Sequence, residues 1–182
     1  MSINDRNPSN RDILQSTKFK LNFTRLPGLT FFCQTANLPG VSLTEVMRNT
    51  PFVDLYVPGE KAIYDTLNVT MLIDEDLRDW EAIHDWLRAM TFPKEFEEYA
   101  RMDRQFRDTQ ISRGGWQKIP PQYADASLTV FTNKNNPNFR VMFKDCFPTT
   151  LSGIQFNALD SAENIITCDV TFRYSYYNIE RI

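Results

Sequence analysis

The sequence predicts a β-rich fold of seven or eight strands with one good helix, and three observations predict it. From Ile165 to Tyr177 the chain alternates strictly. Ile166, Cys168, Val170, Phe172, Tyr174 and Tyr176 lie on one face, and Ile165, Thr167, Asp169, Thr171, Arg173 and Ser175 on the other. A period of two marks a strand with one side on a core and one in water. Shorter alternating runs recur elsewhere, separated by turn residues such as Leu26-Pro27-Gly28, Pro39-Gly40, Pro58-Gly59 and Asn133 to Asn138. One segment changes period: Leu77, Trp80, Ile83, Trp86, Leu87 and Met90 repeat every three or four residues, the stripe of an amphipathic helix that ends before Pro93.

Taken in order, residues 1–16 are rich in Asn, Asp, Arg and Ser with a single apolar patch at Ile13-Leu14 and read as an arm that orders against a neighbour. Phe19, Leu21 and Phe23 alternate with Lys18, Lys20, Asn22 and Thr24 in a first strand, and Leu29 to Ala36 reads as its returning hairpin partner. Val41 to Arg48 is a third strand and Phe52 to Val57 a fourth, so that Pro51 to Tyr64 is an extended hairpin or a long loop. Leu67, Val69, Met71 and Ile73 alternate with Thr66, Asn68, Thr70 and Leu72, after which Asp74, Glu75 and Asp76 place negative charge at the start of the helix. Lys94 to Gln110 is charged, with Phe96, Tyr99, Met102 and Phe106 spaced for a second, more exposed helix; Gly114-Gly115 and Pro120-Pro121 then make a loop. Ala126 to Thr132 and Phe139 to Phe147 are strands, and Ile154-Gln155-Phe156 is short enough for a small one before a turn at Asp160-Ser161. The terminal strand is longer than the usual five or six residues, which suggests a sheet shared between copies of the chain.

The 182 residues suit a single domain over 1–182, with 1–16 as arm, 41–64 as hairpin or loop and 91–122 as a charged insertion. Hydrophobic content of 42% and charged content of 24% are those of a folded soluble protein. A net charge of −3 with mixed signs supplies no basic stripe for a phosphate backbone. No apolar run approaches the roughly 20 residues of a membrane span, and the polar start lacks the regions of a signal peptide. Cys33, Cys146 and Cys168 have no metal spacing and read as reduced, small apolar residues.

Catalysis finds little support. The single His84 sits beside the Trp80 and Leu87 stripe with no nucleophile near it in sequence. Asp74, Glu75, Asp76 and Asp79 lack the spacing and the glycine of a calcium loop and read as helix N-terminal charge. Nothing sets Asp125 with Asp145, or Glu97 with Glu98, across a cleft. Arg113, Gly114-Gly115-Trp116 and Lys118 could clamp a nucleotide or a partner, against the plainer reading of a mobile loop. Phe131, Phe172, Tyr174 and Tyr176 resemble a stacking row, but alternate aromatics on strands are ordinarily core. No cofactor and no metal is expected.

The order of these elements, with Phe32-Cys33-Gln34-Thr35-Ala36-Asn37-Leu38-Pro39-Gly40, Gly59-Glu60-Lys61, the strand to Ile73 with Asp74-Glu75 and its helix, and Phe147-Pro148-Thr149-Thr150 before the closing strand, resembles the major tail tube proteins of T-even-type contractile-tailed bacteriophages, relatives of contractile injection system tube proteins. The resemblance implies a mainly β fold, a β-sandwich or partly open β-barrel flanked by one α-helix. It implies a virion protein, assembled in the host cytoplasm, whose homo-hexameric rings stack into the inner tube of the tail. The tail sheath lies outside, an initiator and a terminator sit at the ends, and DNA passes through the lumen without specific binding during genome ejection; no membrane is involved. On that basis Ile13, Leu14, Val46, Arg48, Phe52, Tyr56, Glu60, Lys61 and Tyr64 are candidate contacts between subunits or rings. Thr167, Asp169, Thr171 and Arg173 are candidates for a lumen or seam face. Residues 91–122 depart from a minimal tube subunit, which keeps open a single-ring initiator or terminator of the same fold.

Overall fold

One seven-stranded antiparallel sheet bends along its longest strand, so that its two halves enclose the core. The computed structural model describes residues 13–91, 97, 99–104, 122–157, 159 and 165–182. Among these the chain order is β1 (Phe19–Phe23), α1 (Leu29–Phe32), β2 (Cys33–Ala36), β3 (Val41–Arg48), β4 (Leu55–Tyr64), β5 (Leu67–Leu72), α2 (Arg78–Thr91), β6 (Ala124–Phe131), β7 (Pro137–Leu151), β8 (Thr167–Arg173) and β9 (Tyr176–Arg181). Residues 99–104 are also helical. The main sheet runs β1-β6-β7-β8-β5-β2 with β9 added on β7, and it is open rather than closed into a barrel. Strands β3 and β4 form a separate two-stranded sheet.

The corner lies in β7. Residues Phe139 to Lys144 pair with β9, whereas Phe147 to Leu151 pair with β8. Between these stretches Asp145 has φ 56°, and the register with β6 shifts between Ala124 and Ala126. An extra residue in the left-handed region bends a strand and increases its twist. Opposite the bend, the chain breaks at Tyr174 and Ser175, held by a hydrogen bond from the Ser175 N–H to the Lys144 carbonyl (2.9 Å). On the outer surface the Lys144 ammonium donates to the Asp125 carboxylate at 2.6 Å and braces the same corner.

Period two explains which side chains go inside. Leu21 and Phe23 of β1, Leu67, Val69 and Met71 of β5, Ala126, Leu128 and Val130 of β6, Val141 and Phe143 of β7, and Cys168, Val170 and Phe172 of β8 are buried. Helix α2 closes one side with Ile83, Trp86 and Ala89, and Met102 joins them. Full burial of a large apolar side chain contributes roughly 1.5–3 kcal/mol before chain entropy is counted, so this cluster is what holds the two halves of the main sheet together. The Trp86 indole N–H donates to the Gln122 carbonyl (3.1 Å), and the Arg25 guanidinium covers the ring at 4.6 Å. Burial lowers the Arg25 pKa to about 10.

Several expectations are corrected. The first hairpin does not form: β1 pairs with β6 and β2 with β5. Leu29 to Phe32 makes one helical turn because Pro27 and Gly28 accept from the N–H groups of Thr30 and Phe31, which buries Leu29 fully. Strand β4 does not stop at Pro58-Gly59 but continues to Tyr64; the missing Pro58 N–H is tolerated in a two-strand ribbon, where one side of each strand lacks a partner. Ile154 to Phe156 is not a strand. The closing strand is two strands rather than one, and past the break Tyr176 is exposed while Tyr177 packs against the core. Phe96 and Phe106 of the expected second helix, and the loop around Trp116, lie outside the described residues; Tyr99 and Met102 fall in the helical stretch.

Candidate assembly surfaces

The β3–β4 hairpin carries its apolar residues on both faces with no core of its own. The register sets Val46 opposite Val57, Met47 opposite Tyr56, Arg48 opposite Leu55 and Ser42 opposite Ile63. Consecutive residues on a strand point to opposite faces, so Val46 and Met47 project to opposite sides of the ribbon. Val41, Leu43, Val46, Met47, Val53, Leu55, Tyr56, Val57 and Ile63 are all exposed, and Phe52 at the tip is 97% exposed. An isolated two-stranded ribbon is marginal in water, and an apolar patch of this extent marks an interaction surface. A bulge lies in the middle: Leu43 pairs with Ala62 and Glu45 with Pro58, leaving Thr44 opposite Gly59, Glu60 and Lys61. A Cβ on Gly59 would come within 2.6 Å of the Thr44 carbonyl oxygen, so only glycine allows this approach.

Of the residues expected at contacts, Val46, Arg48, Phe52, Tyr56, Glu60 and Lys61 are exposed on this hairpin, and Ile13 and Leu14 are exposed ahead of β1. Tyr64 is not among them. It is half-buried at the hairpin root, edge-on to Tyr174 (5.9 Å) and Tyr177 (5.4 Å). The root is tied by the Tyr177 hydroxyl donating to the Pro39 carbonyl (3.3 Å), by Arg173 Nη1 donating to the Tyr64 carbonyl (3.4 Å), and by the Asp65 N–H donating to the Gly40 carbonyl (3.0 Å). Sequence reading does not single out the exposed Val41, Leu43, Met47, Val53, Leu55, Val57 and Ile63; the available signal is the loss of strict alternation, with apolar residues at adjacent positions such as Val46-Met47 and Leu55-Tyr56-Val57.

Thr167, Asp169, Thr171 and Arg173 do share one face, outside the core. That face continues across β5 and β2. Thr70 Oγ1 donates to Asp169 Oδ1 (2.7 Å), Thr171 Oγ1 to Asn68 Oδ1 (3.2 Å), and the Asn68 N–H to Asn37 Oδ1 (2.7 Å). A shallow groove of about 450 Å³ runs there, lined among others by Thr35, Asn37, Asn68, Thr70 and Asp169. Its polar groups are largely engaged with one another, so the face is a pre-ordered polar surface rather than a ligand clamp.

The remaining candidates resolve into structural roles. His84 stacks on Trp80 with centroids 5.3 Å apart, its Nδ1 3.6 Å from Asp85. Asp76 pairs with Arg78, and burial with the neighbouring Asp74 raises the Asp79 pKa. Asp125 is engaged by Lys144, and Glu97 is paired at the surface with Arg101. Among the described residues no group of three or more His, Cys, Asp or Glu could hold a metal ion. All three cysteines are free; burial pushes Cys33 up to about 11 and Cys146 to about 12, which keeps both as thiols. Among the described residues no helix is long and apolar enough to cross a membrane.

A family model described as phage tail tube protein matches residues 7–180. The chain belongs to the phage tail tube protein family. Membership sets it among structural tail proteins and not enzymes. A curated relative, the tail tube terminator protein of Enterobacteria phage T4, is 24% identical over 127 residues, which are 68% of this chain and 61% of that protein. The chain thus aligns with less than two thirds of that relative's length. Among solved structures, the tube-terminating cap of the anti-feeding prophage superposes with a TM-score of 0.62 at 11% identity over 100% of both chains. The sheath–tube complex of the PVC extracellular contractile injection system gives a TM-score of 0.56 at 10% identity, over 100% of this chain and 99% of that one. The sheath/tube terminator of the same system gives 0.54 at 10% identity, over 95% and 99%. At these identities the likeness is one of fold.

Proposed function

We propose that this tail tube family protein terminates the inner tube of a contractile phage tail, as a single ring of six copies at one end of the tube. The observation that carries the reading is the 24% identity with a tail tube terminator protein. The likeness in fold to a tube-terminating cap agrees with it. The expectation of a subunit stacked along the whole tube has less support, although the fold is compatible with it.

In this reading the β3–β4 hairpin, with Val46, Arg48, Phe52, Tyr56, Glu60 and Lys61, packs on a neighbouring copy or on the last ring of the tube. What supports this is that burying its two apolar faces needs a surface the subunit lacks. Ile13 and Leu14 act as a second tie. The face of Thr167, Asp169, Thr171 and Arg173 lines the bore, where engaged hydroxyls and amides let DNA pass without holding it. Strand β2 and the second half of β7 flank this face, and strand edges of this kind invite pairing across the seam. A contact that closes head to tail makes a ring. The sheath or its terminator lies outside, and the protein resides in the virion tail.

Electron microscopy of the purified chain, alone and mixed with tail tubes lacking their terminator, tests this. Discrete rings that remain single alone and seat at a tube end are expected. Tubes of indefinite length from the chain alone would make it the stacked subunit instead, and a persistent monomer that leaves tube ends bare would overturn both readings.

A further inference from the structure

At the hairpin root one polar atom is left without a partner. Tyr174 is only 9% exposed, its hydroxyl is fully buried, and among the described residues it makes no hydrogen bond. Rings enclose it: Tyr64 at 5.9 Å, Phe143 at 5.0 Å and Tyr177 at 6.1 Å. The register of β5 with β8 sets Leu67 opposite Phe172, and carried two residues further it brings Asp65, the residue directly after β4, level with Tyr174. The Asp65 carboxylate lies over Gly40, where a Cβ would stand 2.8 Å from Oδ2. A buried donor without an acceptor is costly, so an arrangement that pairs it competes with this one.

The geometry also allows such an arrangement. Strands β3 and β4 pair only with each other, so the ribbon joins the body through its two root segments. Two of the three polar ties across the root are long, at 3.3 and 3.4 Å. Gly40 presents no side chain to resist a change of angle.

We propose that the root is a two-position latch: in the free subunit Asp65 rests on Gly40, and when the hairpin seats against a second copy Asp65 turns to accept the Tyr174 hydroxyl. The inference rests on the assembly reading above, because seating supplies the force that shifts the ribbon. A ligand shifts a two-state element only through differential interaction with its two states, and here the second copy is that ligand. The new hydrogen bond exists only in the assembled form and therefore favours it.

The test compares wild type, Tyr174→Phe, Asp65→Ala, Asp65→Asn and the double variant Tyr174→Phe/Asp65→Ala, measuring thermal unfolding of the dissociated subunit and the concentration at which rings appear in sedimentation. Tyr174→Phe is expected to leave the melting temperature of the free subunit unchanged or raised, yet to increase the assembly concentration at least fivefold. Asp65→Ala does the same, Asp65→Asn keeps an acceptor and assembles as wild type, and the double variant is no worse than either single. The latch is overturned if Tyr174→Phe lowers the melting temperature or fails to fold, which means that the hydroxyl is already partnered in the free subunit. It is equally overturned if either Tyr174→Phe or Asp65→Ala assembles as wild type, if Asp65→Asn does not, or if the single effects add. Wild type that forms no rings overturns the assembly reading itself, and the latch with it.

Discussion

The ring of Phe23 in β1 lies 4.5 Å from that of Phe172 in β8, centroid to centroid. Their strands stand far apart in the order of the main sheet, so this contact joins its two halves face to face. Trp86 of α2 reaches the same ring at 6.4 Å. Phe172 is therefore where both halves of the sheet and the helix converge, and it is completely buried.

Replacing Phe172 by Asp is expected to abolish folding, because an unpaired charge cannot be accommodated among these rings. Phe172→Ala should remain folded in the cold and lose about 3–5 kcal/mol. Urea titration followed by circular dichroism checks both. A soluble, cooperative Asp variant would contradict the inward placement.

Gly59→Ala separates assembly from folding. The added methyl meets the Thr44 backbone, which cannot move away without breaking the bulge. The hairpin is expected to kink while the body keeps its melting temperature within a degree or two, and ring formation is lost. Light scattering alongside calorimetry reads the two effects; equal assembly at equal concentration would show that the bulge is dispensable.

Asp145 occupies the left-handed region at φ 56°. A non-glycine residue there costs about 1–2 kcal/mol. Asp145→Gly removes that cost but adds freedom to the unfolded chain, so stability is expected to stay within about 1 kcal/mol. Asp145→Val, branched at Cβ, should lose more than about 1 kcal/mol. Chemical denaturation of both variants checks the order, which reverses if β7 does not turn here.

Asp79 has its pKa raised by burial and by Asp74. The charged form is thus disfavoured in the folded state, and wild type gains stability from this group as pH falls through the folded pKa. Asp79→Asn is expected to be more stable than wild type at pH 7, with the difference shrinking once the pH is below the ordinary carboxylate range. Melting curves at pH 7 and pH 3 decide it; a larger difference at pH 3 would reverse the sign.

What could be read from sequence follows from which forces are periodic. The inward residues of β1, β5, β6, β7 and β8 alternate, and α2 changes to a spacing of three and four, so the core was visible in one dimension. Leu29-Thr30-Phe31-Phe32 reads as strand because a run this short, with three apolar residues in four, fits a turn of helix as well as a strand. The break at Tyr174 and Ser175 was hidden because alternation passes through it unchanged; the cause is the bend of β7 some 30 residues away, at Asp145. Pro58-Gly59 looked like a stop, yet a two-strand ribbon tolerates both residues. The hairpin as a whole was legible, and so was the polar face from Thr167 to Arg173. The half-burial of Tyr64 was not, since it depends on Tyr174 and Tyr177, which only the fold brings near.

The self-contained pairing of β3 with β4 has a consequence for how such a chain can change over time. Because no ladder hydrogen bond of the main sheet is shared with that ribbon among the described residues, mutations at its tip and faces are expected to leave folding of the body untouched. The body can stay constant while the ribbon drifts, so the character of that exposed surface and the ability to fold are inherited through separate sets of residues.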